Sequence, residues 1–407
     1  MSSLLLKNAH QVVTAKDPGK PLSGKEQSNL SITNDESILV RDGMIREIGD
    51  SSLSADRVID CRDYVILPGL VDAHTHIVYT GSRYEEFYQR ISGSTYLEIL
   101  EAGNGIRRTI RETEAAAREQ IFAESSRRVE NAISRGTTTM EIKTGYSSSV
   151  DGESKMIDVM DMIGSSYRIN VVKTLLPLHA ISMGSDEKEH LSYVIKEVLP
   201  HTLERVDFVD SFCDSGAFSP QSTESFFAAV GNKGKRLHAD EINNIGCLSL
   251  ARRFNLKSAD HLLKTDDSGI DMLLSSGTIA NFLPITAFSL GEKYPDVNRY
   301  IRKNVPVAIS SDSSPLTRNQ DMIFALYLSL RFYHLRAEEA FNAVTINAAH
   351  SLGIADRTGT LELGKRADIV IADVSDFREI PYEYSSQPIQ TVISGGKIVF
   401  DRDSTRL

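Results

Sequence analysis

Eight apolar runs of strand length, each followed by a longer stretch, fill the middle of the chain: GLVDAHTHI, TTTMEIKTGY, INVVKTLLPLHA, RVDFVDSFCD, KRLHADEI, SADHL, TIANFLP and VPVAISSDSS. Runs this continuously apolar read as strands covered on both faces. The segments between them, such as SKMIDVMDMIG, DEKEHLSYVIKEVL, STESFFAAVG and CLSLARRFN, are amphipathic. A helix after each strand returns the chain to the same edge, so the strands run parallel. Eight repeats of this alternation predict an α/β fold, a (β/α)8 barrel of the TIM type. A doubly wound open sheet is the competing architecture. Its GxGxxG after the first strand is missing, and Gly103-Asn104-Gly105 lies in a loop before a helix.

The two ends read differently. Residues 1–65 hold short alternating runs, LLLKNAHQVV, SILVRDGMIREIG and RVIDCRDYVILPG, with Asp42-Gly43 as a tight-hairpin signal. Residues 356–407 hold RADIVIAD and TVISGGKIVFD. Neither end has enough strands for a stable sheet of its own. Together they predict a small β-sandwich domain of residues 1–65 plus 356–407, with the barrel, 66–355, inserted in it. The polar stretch KDPGKPLSGKEQSNLSITNDES is expected to be a surface loop.

Barrels of this kind keep their chemistry at the C-terminal ends of the strands. Histidines and acids gather there: Asp72-Ala73-His74-Thr75-His76, Leu237-His238-Ala239-Asp240-Glu241, Asp260-His261 and Ser311-Asp312-Ser313. Alternate residues of a strand share a face, so His74 and His76 aim into one cavity. With His238 and Asp312 they can converge on one divalent ion and leave a position for water, the open arrangement of a catalytic site. Each residue alone has a bland reading. An HxH or a lone His238 can be structural, and Asp312 can cap a helix. Their coincidence at one end of four strands favours the metal site.

The net charge of −10 over 407 residues speaks against nucleic acid or an anionic membrane as partner. A small anionic substrate remains compatible, because one local arginine outweighs a distant acidic surface. Cys61, Cys213 and Cys247 are odd in number and widely spaced, which suggests reduced thiols in a cytoplasmic protein. No apolar run reaches membrane-spanning length, and the N-terminal apolar stretch is too short for a signal peptide.

LPGLVDAHTHIVYTGSR, followed by EIKTGY, LHADE, SADH and SSDSSP, resembles the imidazolonepropionase family of the amidohydrolase superfamily. VDFVDSFCDSGAFS, AVTINAAHSLG and GTLELGKRADIVIAD extend the resemblance along nearly the whole chain. Gly81-Ser82-Arg83, STYLEI at 94–99 and the His238–Glu241 run are its more discriminating parts. The resemblance implies ring opening of 4-imidazolone-5-propanoate to N-formimidoyl-L-glutamate, a step of histidine degradation. It implies His74, His76, His238 and Asp312 as ligands of one zinc or iron ion. Glu241 would shuttle the proton at the substrate, with Asp312 as the other candidate acceptor, and His261 would stabilise the carbonyl oxygen. Arg83 would hold the propanoate, its competing role being an ion pair with Glu85 or Glu86. Tyr146, His179, Ser314, Thr317 and, more weakly, Tyr96 would contact the substrate, and the family implies a homodimer.

After the metal aspartate the family usually has Asn two residues on and then Pro-Gly. This chain has Ser314-Pro315-Leu316-Thr317, a departure that bears on the substrate. A ring deaminase using the same ion is the alternative function, and Arg83 argues against a neutral substrate. An inactive metal-binding barrel would be expected to lack Glu241, His261 or Asp312, yet all are present. A two-metal site usually needs a bridging carboxylate or carbamylated lysine on the fourth strand. RVDFVDSFCD has no lysine, so one ion is expected.

Overall fold

The computed structural model describes residues 3–49, 54–93, 98–99 and 103–404. Its centre is eight strands hydrogen-bonded in chain order. They are β1 (Leu70–Asp72), β2 (Thr137–Lys143), β3 (Asn170–Leu178), β4 (Phe208–Cys213), β5 (Gly234–Ala239), β6 (Ser258–His261), β7 (Ile279–Phe282) and β8 (Val307–Ile309). Every neighbouring pair is parallel. The ring closes just beyond β1 and β8, where Asp312 N donates to His74 O at 3.1 Å and His76 N donates to Ser313 O at 2.8 Å. These are the eight strands expected from the apolar runs.

The connecting helices cover the outside. The one over Val150–Tyr167 starts where the Ser149 side chain accepts the Gly152 N–H, and it buries Met156, Ile157, Met160 and Ile163. That spacing is one helical stripe, and it is laid against the strands. The barrel interior is less usual. Glu141, Lys143, Asp210, Arg236 and Asp260 are all fully buried inside it. Lys143 Nζ donates to Glu141 Oε1 at 2.6 Å and to Asp210 Oδ2 at 2.8 Å. Arg236 Nη2 donates to Ala73 O at 2.7 Å and to Asp260 Oδ2 at 3.4 Å. Buried charges are tolerated only when paired and hydrogen-bonded, and these are.

Both chain ends build the smaller sheets. Val65–Pro68 pairs antiparallel with Ile369–Ala372, matching Pro68 to Ile369 and Val65 to Ala372. That sheet has six strands; a second, of four, holds Ser3–Ala9, Glu36–Arg41, Met44–Gly49 and Arg57–Asp60. Leu4, Leu6, Ile38 and Val40 of one sheet and Val12, Ile66, Ile369 and Ile393 of the other form one apolar cluster, so the sheets make a sandwich. Asp42 (φ +52°) and Gly43 (φ +78°) make the tight turn that their sequence signals.

Two expectations are corrected. The polar stretch after the first strands is not a free surface loop. Gln27 is fully buried, its Nε2 donating to Val307 O at 2.8 Å and its Oε1 accepting Val307 N at 3.2 Å. Asn342 and Asn347 donate to the carbonyls of Gln27 and Leu22, each at 2.9 Å. The segment docks at the start of β8, and its polar side chains satisfy backbone groups instead of water. Nor are all thiols reduced, because Cys213 and Cys247 form a disulfide with Cα atoms 6.0 Å apart. The end of β4 lies beside the segment that follows β5, so residues 34 apart in sequence are neighbours in space. Cys61 is free and buried. Among the described residues no helix is long and apolar enough to cross a membrane.

Candidate metal centre and active site

The strand ends bring four donors together. His74 Nε2 lies 3.1 Å from His76 Nε2, and His238 Nε2 lies 3.3 Å from the same atom. Asp312 Oδ1 is 3.7 Å from the Nε2 atoms of both His74 and His76. All four side chains are buried. Burial, reinforced by Lys143 for His74 and by His179 for His76, holds both imidazoles well below their ordinary pKa. They are therefore neutral, the ligand form of histidine. Three imidazoles meet through Nε2, and one proton between two of them cannot satisfy the third. A divalent ion can, so the donor set fits one.

The groups behind the ligands support the same reading. His74 Nδ1 lies 2.8 Å from Asp260 Oδ2, and His238 Nδ1 lies 2.9 Å from Asp210 Oδ2. Carboxylates so placed keep the proton on Nδ1 and turn Nε2 toward the point where the donors meet. Lys143 and Arg236 in turn hold the two carboxylates. Of these four, the sequence singles out only Asp260, without a role. The available signal is parity: Arg236 lies two residues before His238 and so shares its face of β5. Asp260→Asn is expected to weaken metal retention about 10–100-fold. Residual metal after dialysis against graded chelator reads this, and wild-type retention would contradict the role.

Backbone strain collects at the same rim. Asp240 (φ +55°), His261 (φ +76°) and Asp312 (φ +50°) all take left-handed conformations that side chains disfavour. Asp312 Oδ2 accepts the Thr286 hydroxyl, which leaves Oδ1 for the histidines. Burial raises the Asp312 carboxyl to about 6.

A cavity of about 630 Å³ opens above the donors. Glu241, His261, Tyr146, His179, Arg83 and Ser314 all line it. Glu241 Oε2 is 3.6 Å from His261 Nε2. Burial, and then the negative charges of Asp312 and Asp214, push the Glu241 carboxyl up to about 8, in the range suited to moving protons at neutral pH. His179 stacks on His76 with ring centres 4.9 Å apart, and Tyr146 lies 5.4 Å from His179.

Other expected contacts are placed differently. Arg83 reaches the cavity, but its Nε and Nη2 each donate to Glu86 at 2.6 Å. Its Nη1 makes no hydrogen bond among the described residues. The Thr317 side chain is turned to the backbone: its Oγ1 donates to Asp312 O at 2.7 Å and accepts Ser314 N at 3.1 Å, and it is not part of the lining. Leu316 lines the wall instead. Tyr96 lies outside the described residues.

Barrel and donor set together define a metal-dependent hydrolase of the amidohydrolase class, and the model of the Amidohydrolase family matches residues 235–399. The imidazolonepropionase of Picrophilus torridus is 41% identical over 97% of this chain and 98% of that protein. That of Thermoplasma volcanium is 42% identical over 93% of this chain and 94% of its own length. The chain belongs to the imidazolonepropionase family. Among solved structures, the guanine deaminase of E. coli superposes with a TM-score of 0.74, covering 99% of this chain and 100% of that one. At 18% identity it shares the fold alone.

Proposed function

We propose that this chain hydrolyses the ring amide of 4-imidazolone-5-propanoate to N-formimidoyl-L-glutamate. One observation carries the reading, alongside the name its relatives bear. Four donors meet, with His76, His238 and Asp312 at the floor of a cavity whose walls also hold Glu241, His261 and Arg83. His74, His76, His238 and Asp312 would hold a single zinc or iron ion, whose Lewis acidity would acidify water and polarise a carbonyl. Nitrogen and carboxylate donors suit either ion.

The side chains around the ring do the rest. Glu241 takes the proton of the attacking water and delivers it to the ring nitrogen as the C–N bond breaks. His261, kept neutral by burial, donates a hydrogen bond to the carbonyl oxygen as it gains charge. Glu86 holds one edge of the Arg83 guanidinium, and the edge bearing Nη1 takes the propanoate carboxylate. Tyr146, His179 and Ser314 flank the ring. In this account residues 66–355 carry the chemistry, and residues 1–65 with 356–407 form the composite domain that supports it.

Loss of ultraviolet absorbance by fresh substrate, with formimidoylglutamate formed, tests the assignment. In that assay Arg83→Ala is expected to raise KM about 10–100-fold, the worth of a charge-assisted hydrogen bond, with a much smaller change in kcat. An unchanged KM would remove Arg83 from the substrate.

A further inference from the structure

The turn that carries Glu241 is tied to the neighbouring strand by one carboxylate. Asp214 directly follows β4 and is 2% exposed. Its Oδ2 accepts the backbone N–H groups of Glu241 at 2.8 Å and Ile242 at 2.9 Å. Its Oδ1 accepts that of Asn243 at 2.9 Å and that of Ser215 at 2.7 Å. Three consecutive N–H groups of a turn after a strand would otherwise need water. Gathered on one carboxylate, they fix the path of the backbone, and bonds to an ionised acceptor are about twice as strong as neutral ones.

The surroundings make this a matter of aim. Asp240, in its left-handed conformation, swings the chain off β5 immediately before Glu241. Glu241 and Ile242 are the residues of the turn that reach the cavity. Cys213, beside Asp214, is bonded to Cys247 on the far side of the turn, which limits how far the segment can drift. One residue earlier, the Phe212 ring lies 5.7 Å from that of His238. The end of β4 thus sets the turn and abuts a candidate ligand from the same three residues.

We propose that Asp214 is a positioning residue for proton transfer, acting through Glu241 by anchoring the turn that aims its carboxyl at the substrate. This rests on the functional reading above. The test is a double-substitution cycle on metal-loaded enzyme with 4-imidazolone-5-propanoate. Asp214→Ala is expected to lower kcat about 10²-fold, the cost of a small misplacement, with KM and bound metal unchanged. In a Glu241→Gln background the same substitution changes kcat by less than about 2-fold, because the group it aims is already disabled. Asp214→Asn keeps one acceptor oxygen and falls between; it carries the same cycle if the alanine variant does not fold. Equal losses in both backgrounds, or no loss in kcat, would overturn the role of Asp214 while leaving the function standing. A folded, metal-loaded wild type without turnover would overturn the functional reading, and the role of Asp214 with it.

Discussion

Asp312→Asn is expected to lower kcat by about 10³-fold or more, while the protein stays folded. Asparagine is the informative replacement. It tolerates the left-handed backbone at this position and keeps an oxygen for the Thr286 hydroxyl, so geometry is preserved and the charge is lost. Asp312 is the one carboxylate among the four proposed ligands, with Oδ1 equidistant from two histidine nitrogens. Without it a bound ion would meet no carboxylate among those four, and the second candidate acceptor of the water proton is gone. Bound metal and kcat measured on the same preparation check the prediction. Near-wild-type values for both would take Asp312 out of the centre.

The second large effect is on stability. Lys143→Met is expected to cost about 3–5 kcal/mol, because removing one partner of a buried ion pair leaves the others uncompensated. Glu141 and Asp210 would face each other fully buried, with Arg236 Nε, 3.6 Å from Glu141, as the remaining nearby cation. The dependence on pH gives a sharper signature. In the wild type, burial favours a protonated Asp210, but His238 and Lys143 outweigh it and hold the carboxyl well below the ordinary range. A lowered folded pKa means stability that is present above the unfolded value, about 3.9, and lost as pH falls toward the folded one. Burial likewise lowers the Lys143 pKa, but Asp210 and Glu141 raise it above normal, so its contribution persists until strongly alkaline pH. Between pH 7 and pH 5 neither window is crossed, so the Lys143–Asp210 pair adds no slope of its own to the wild-type Tm. In the methionine variant, protonation relieves a buried repulsion, and Tm should rise over the same interval. Parallel curves would contradict this account of the barrel interior.

How much of this was visible beforehand follows from where polarity interrupts apolar sequence. Parallel strands covered on both faces make long apolar runs, so β1 to β8 stood out, and His74, His238 and Asp312 broke those runs at one end only. Lys143, Asp210, Arg236 and Asp260 also break them, but their meaning depends on which residue of the next strand lies opposite, and register is a property of the closed barrel. The stretch around Gln27 reads as a surface loop because a side chain that pairs with buried backbone is as polar as one facing water. Asp214 was hidden for a related reason, since its partners are backbone N–H groups that every residue carries. The Arg83–Glu86 pair, three residues apart, was legible as the competing role of that arginine, and the structure shows it formed.

The most direct test of the central claim is to turn over 4-imidazolone-5-propanoate with metal-loaded enzyme in oxygen-18-labelled water and to resolve the products by mass spectrometry. Hydrolysis of the ring amide predicts N-formimidoyl-L-glutamate with one labelled oxygen in its new carboxylate, and no ammonia. Label in a formyl group, from attack at the ring carbon between the two nitrogens, or untouched substrate beside a folded, metal-loaded protein, would contradict it.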